Sequence, residues 1–168
     1  MTRFQPIAII TCAAFFGFSA CSAPAETNTT AIAGLDGKFE RDTLIIETDD
    51  GTRHKLDIYL AVDFEQQRRG LMFVRSMPAS MGMLFVYAEP DLRSMWMKNT
   101  YMSLDLVFAR SDGTISSVIH DTQPLSLTPR GSEEPVSFVL ELNAGTARRL
   151  NIGRHSRIIW GRNDSSDQ

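Results

Sequence analysis

Beyond residue 38 the chain reads as short apolar stretches in which hydrophobic and polar positions alternate with period two, separated by turn residues. Thr43 to Thr48 and Lys55 to Leu60 flank Asp49-Asp50-Gly51, and Leu56, Ile58 and Leu60 share one face, which predicts a hairpin. Asp63-Phe64-Glu65-Gln66 has capping-box spacing and Gly70 stands where a helix would stop. Phe64 to Arg69 is therefore predicted helical, too short to form a core layer. Met83 to Tyr87, Ser94 to Lys98, Leu104 to Ala109, Ile115 to Ile119, Val136 to Leu142 and Ser156 to Trp160 follow as strands. Ser111-Asp112-Gly113 supplies a tight turn, and Phe138, Leu140 and Leu142 share a face. A second short helix is expected from Ala144 to Leu150, capped by Asn143 and closed near Gly153. The pattern predicts a mainly β fold, a compact antiparallel sandwich or barrel-like domain with two short helices. His120 to Pro135 holds three prolines and is the longest predicted loop, of a length that is uncommon without a function.

The N-terminal stretch follows another pattern. Arg3 precedes an almost unbroken apolar run, Ile7 to Phe18, which reads as a secretory signal. At about 12 residues the run is too short for a bilayer core, which needs about 20. Phe18-Ser19-Ala20-Cys21 resembles a bacterial lipobox, with Phe18 where Leu is usual, so residues 1–21 are expected to be a signal peptide and Cys21 the lipidation site. Ala23-Pro24-Ala25 offers an alternative cleavage after Ala25 that would release a soluble protein. Residues 22–38 are expected to be a flexible tether, 39–162 a single β domain and 163–168 a disordered tail. The localisation that follows is periplasmic, with a membrane attachment through Cys21 if the lipobox is used.

Composition narrows the chemistry. The 168 residues, 43% hydrophobic and 22% charged, leave room for one globular domain. Both cysteines, Cys12 and Cys21, lie in the leader, so the body has no disulfide framework or thiol nucleophile. A net charge of -3 without a long basic run gives no support to a nucleic-acid partner. No serine-nucleophile elbow, zinc-protease helix, phosphate-binding glycine loop or dinucleotide fingerprint occurs, and His54, His120 and His155 stand singly. No cofactor is indicated.

Seven of the eight methionines fall between Met72 and Met102. Packing of irregular gaps by the flexible thioether explains this concentration, and Cu(I) binding through Met72, Met83, Met95 and Met97 is the alternative. In a strand, Met95 and Met97 would share one face and Trp96 the other, which opposes a tryptophan stacked on an ion held by that pair. Trp96-Met97-Lys98-Asn99-Thr100, with Arg69 and Arg75, offers a ring, cations, an amide and a hydroxyl suited to a small polar or anionic ligand. Asp105 lies between Leu104 and Leu106. If buried it requires a partner, for which Arg69, Arg75 and Lys98 are the candidates, in a structural ion pair or as part of the site.

The stretches RGLMFVRSMP (69–78), GMLFVY (82–87), WMKNTYMSLDLVF (96–108), DGTI (112–115) and FVLELNAGTARRLNI (138–152) resemble the bacterial and archaeal family called domain of unknown function 192, over about residues 43–160. The resemblance implies a compact, mainly antiparallel β domain and no established activity. It touches Arg69, Gly70, Met72, Arg75, Trp96, Met97, Lys98, Asn99, Thr100 and Asp105. Many relatives carry Pro where this chain has Ser103, and cysteines in the loop corresponding to 120–135, which this chain lacks. The expectation is a non-enzymatic envelope module binding a small polar or anionic ligand, or a protein partner. The alternatives are a hydrolase of unknown substrate and a Cu(I)-binding periplasmic protein.

Overall fold

The computed structural model describes Met1 and residues 31–161. The expected signal peptide with Cys12 and Cys21, and the expected tail, lie outside the described residues. Strands β1 (Glu40–Glu47) and β2 (Arg53–Ala61) form the expected antiparallel hairpin, with Leu44 opposite Leu56. Helix α1 (Phe64–Arg69) follows. Its capping box is complete: the Asp63 carboxylate accepts from the Gln66 N–H at 2.8 Å, and Gln66 Oε1 accepts from the Asp63 N–H. Strand β3 (Met81–Asp91) then lies beside β2 in parallel, so β2, α1 and β3 make a crossover unit that alternation alone could not reveal.

Strand β4 is only Ser94–Met95, shorter than the expected Ser94 to Lys98, and pairs with β7 (Arg130–Gly131) inside the presumed loop. Alternation persists beyond it, since Met95 and Met97 are buried and Trp96 is exposed, but Met97 donates its N–H to the Ser126 carbonyl instead of to a ladder. Strands β5 (Leu104–Ala109), β6 (Ile115–Ile119) and β8 (Val136–Asn143) complete one curled sheet with β9 (Arg157–Ile159), in the order β6-β5-β8-β3-β2-β1-β9. Its edges meet through a Thr114–Arg157 bridge and the Ile158 N–H donated to the Gly113 carbonyl at 2.8 Å, so the sheet is a nearly closed barrel. Gly113 is required here. Its φ is +85°, and a Cβ would stand 2.1 Å from the Ile158 carbonyl oxygen.

The barrel packs on both faces, so β5 is buried at every position and reads as a near-continuous apolar run. Leu56, Ile58, Leu84, Val107, Leu140 and Ile158 belong to one cluster. Tyr59, Met83, Phe85, Leu106, Phe108 and Val139, one residue out of phase, belong to the other, which is covered by Leu71, Val74, Met77, Met95 and Met97 from the connecting segments.

Two further expectations about the elements are corrected. The tether expected over 22–38 does not extend to its C-terminal end: Ile32 and Leu35 are buried, the Ile32 N–H donates to the Tyr59 hydroxyl, and that hydroxyl donates to Asp36. Apolar side chains find core to cover, which composition did not show. Helix α2 (Thr146–Arg149) is shorter than Ala144 to Leu150, and Asn143 does not cap it. Asn143 ends β8 and donates to the Met77 carbonyl at 2.7 Å. The first turn of α2 is satisfied by a distant residue, Asp105, whose Oδ2 accepts from the Ala147 N–H at 2.9 Å.

Candidate functional site

The sequence around the C-terminal end of α1 builds one wall of a cleft. The capping box starts the helix so that Arg68 and Arg69 fall in its last turn, and Gly70, at φ +45°, ends it and turns the chain toward Met72 and Phe73. Facing them is the segment after β4. Trp96 is 47% exposed, and Lys98 stands over its ring at 5.1 Å from the centroid. Arg68, Arg69, Met72, Trp96, Lys98 and Asn99 line a cleft of about 370 Å³.

Three bonds hold this geometry. The Phe73 N–H donates to the Asn99 carbonyl, Asn99 Nδ2 donates to the Met72 sulfur at 3.9 Å, and the Leu125 N–H donates to the Thr100 carbonyl. Phe73, Asn99 and Leu125 all have left-handed backbones, φ 69°, 55° and 62°. Non-glycine residues in that region are strained, and such strain gathers at functional sites. The 120–135 loop thus buttresses the site. The Thr122 hydroxyl bonds to both the N–H and the carbonyl of Leu104, and its oxygen lies 3.2 Å from the Met97 sulfur.

Of the residues singled out from sequence, Arg69, Trp96, Lys98 and Asn99 converge on this cleft. Thr100 is buried and lines a narrow recess beside it. Arg75 stands instead over the Tyr101 ring at 4.9 Å and borders a neighbouring groove with Phe73 and Pro78. Asp105 is not paired with Arg69, Arg75 or Lys98. It is fully buried on β5, where Oδ1 accepts from the Asp121 N–H at 3.0 Å and Oδ2 from the Ala147 N–H, with His120 Nδ1 3.7 Å away. Backbone donors solve its burial, so it fastens α2 and the 120–135 loop to the barrel.

Charge in the cleft is unbalanced. Glu65 is ion-paired with Arg68 at 3.0 Å, whereas neither Arg69 nor Lys98 is in an ion pair among the described residues. Arg69 rests over Phe73, 4.9 Å from its centroid.

Sequence reasoning missed Glu141. It lies on β8, out of phase with Leu140 and Leu142, and its side chain is buried while Oε2 has no hydrogen-bond partner among the described residues. Burial pushes its carboxyl up to about 8, which favours the protonated form near neutral pH. It borders a recess of about 20 Å³ whose walls include Arg68, Arg69, Met72 and Trp96, the same residues that line the larger cleft. The signal was present: Val139-Leu140-Glu141-Leu142 sets a carboxyl within an apolar strand, as Leu104-Asp105-Leu106 does.

Among the methionines named as alternative Cu(I) ligands, Met83, Met95 and Met97 belong to the core cluster, and the sulfurs of Met72, Met95 and Met97 face Asn99, Tyr87 and Thr122 respectively. No group of three or more His, Cys, Asp or Glu suited to a metal ion occurs among the described residues, and none of their helices is long and apolar enough to cross a membrane.

Residues 45–160 match the family model DUF192, described as uncharacterized ACR. No curated protein matches the chain. A solved structure from Sinorhizobium meliloti 1021, described as a "putative transcription regulator", is 42% identical with a TM-score of 0.70, covering 71% of this chain and 93% of its own. A protein of unknown function from Novosphingobium aromaticivorans DSM 12444 is 30% identical with a TM-score of 0.72, covering 77% of this chain and 91% of its own.

Proposed function

The chain belongs to the uncharacterized family DUF192, and from that premise we propose that it is a non-enzymatic module that binds a small organic anion in the cleft between α1 and the Trp96–Asn99 segment. The observation that carries this reading is the pair of cations without carboxylate partners among the described residues, Arg69 and Lys98, each spread over an aromatic ring at the cleft wall. Cations held on ring faces are oriented without being neutralised, and an anion with an apolar body gains both charge and ring contact. A hydrolase acting through paired acids is less well supported, because Glu65 in the cleft is engaged by Arg68 and Glu141 in the adjoining recess is buried. Regulation through nucleic acid, which the name of the Sinorhizobium relative suggests, finds no support in a net charge of -3.

A thermal-shift panel of organic anions against neutral analogues tests the reading. Anions are expected to raise the melting temperature of the wild type, and Arg69→Ala and Lys98→Ala each to weaken binding about fivefold, as loss of roughly 1 kcal/mol from an exposed charge contact implies. Anions that stabilise the wild type and both variants equally would contradict it. We further propose that the module works in the cell envelope, tethered through Cys21. Fatty-acid labelling of the wild type supports this, and continued labelling of Cys21→Ala refutes it.

A further inference from the structure

Glu141 lines the small recess that adjoins this cleft and shares Arg68, Arg69, Met72 and Trp96 with it. Its side chain borders the small recess with Gly70, Met72, Trp96 and Thr100, and the recess has room for one water-sized atom. Gly70 leaves the approach open, since a Cβ there would stand 3.9 Å from Glu141 Oε2 and 3.1 Å from the Phe85 ring. Native proteins rarely leave a buried carboxyl oxygen without a partner, and Oε2, itself closed to solvent, belongs to a residue that lines the recess. The surrounding elements bring no charge that pairs with it. Strand β5 places Leu106 opposite it and β3 places Met83. Tyr87 of β3, its phenol also pushed up by burial, carries Arg93 over its ring, and Arg68 and Arg69 of α1 stand at the recess wall.

Resting on the anion-cleft reading, we propose that Glu141 is the specificity-determining residue of this site: its carboxyl oxygen at the recess, unpartnered among the described residues, donates a hydrogen bond to one oxygen of a ligand whose negative charge lies against Arg69 and Lys98. The ligand class is a small hydroxylated organic anion, either a sugar acid or hydroxy acid or a phosphorylated polyol. A recess this small admits a hydroxyl or carbonyl oxygen and excludes a ring. A plain fatty carboxylate leaves the acid unpartnered, and a neutral sugar leaves the cations unused.

Isothermal calorimetry with glucuronate and with glycerol phosphate as probes separates the carboxylate and phosphate sources, with hexanoate lacking the hydroxyl and glucose lacking the charge. At least one of the two probes is expected to bind in the millimolar range or tighter, and both controls about tenfold more weakly. Wild-type affinity is expected to fall about tenfold on passing from one pH unit below the Glu141 midpoint to one above it, as its proton is lost and a like charge appears. Glu141→Gln, which keeps a donor, is expected to bind without that pH dependence, and Glu141→Leu to bind about tenfold more weakly. Melting curves confirm that both variants fold. Failure of both probes to bind at millimolar concentration overturns the ligand class. Glu141 variants that bind with the wild-type pH profile overturn the role of Glu141, and if Lys98→Ala still weakens binding the cleft reading survives. Binding indifferent to Lys98→Ala overturns both.

Discussion

Replacing Glu141 by glutamine is expected to make the protein more stable, by an amount that grows with pH. In the folded chain burial raises this carboxyl from an ordinary 4.5 to about 8. Below the ordinary value both folded and unfolded chains carry the proton, and the group has no effect. Between the two values the unfolded chain releases the proton while the folded chain retains it, so folding becomes less favourable by about 1.4 kcal/mol per pH unit. At neutral pH the accumulated cost is roughly 3 kcal/mol, and above the folded midpoint it levels off near 5 kcal/mol, ceilings that water entering the recess would lower. Glutamine has nearly the same shape and no proton to lose. Urea unfolding of both proteins across this range measures the difference directly, and subtraction cancels every other titrating group. The reasoning is refuted if the difference stays within about 0.5 kcal/mol from acid to mildly alkaline pH. A stability cost of this size at one buried side chain is what a functional residue shows when ligand binding, not folding, maintains it.

Asp105→Asn should destabilise the fold by about 2 to 3 kcal/mol in the same assay, because an amide can accept from only one of the Asp121 and Ala147 N–H groups and turns a donor toward the other; a loss under about 0.5 kcal/mol would mean that these bonds do not hold α2. Gly113→Ala should cost at least about 2 kcal/mol, since the new methyl meets the Ile158 carbonyl where the barrel closes, and an unchanged melting temperature would contradict that closure. Leu35→Ala should cost about 2 to 4 kcal/mol if the segment before β1 is part of the core, and nothing measurable if it is tether.

What could be read from the sequence was local. The hairpin around Asp49-Asp50-Gly51 and the capped helix Phe64–Arg69 depend on residues within a few positions of one another, and both form as expected. Alternation guided burial around β4 but not pairing, since Met95, Trp96 and Met97 alternate in exposure although the ladder stops at Met95, and it did not show that β5 is buried on both faces. Partners distant in sequence were invisible. The cap of α2 comes from Asp105, 42 residues away, and Asn143, which has a capping side chain at the right spacing, is drawn to the Met77 carbonyl instead. The site was half legible. Arg69, Trp96, Lys98 and Asn99 stood out by residue type, but Arg75 is drawn over the Tyr101 ring, and that Glu141, 42 residues beyond Asn99, lines the adjoining recess depends on how β8 lies between β5 and β3.

The most direct test is to follow the two tryptophan indole N–H signals by NMR while glucuronate, or glycerol phosphate if only that binds, is added. Trp96 forms the cleft wall beneath Lys98, whereas the Trp160 indole donates to Asp42 at 2.8 Å on another part of the barrel. The account predicts a saturable shift of the Trp96 signal with Trp160 unmoved, abolished in the Arg69→Ala, Lys98→Ala double variant. A Trp96 signal that stays in place while bound anion shifts Trp160 would contradict it.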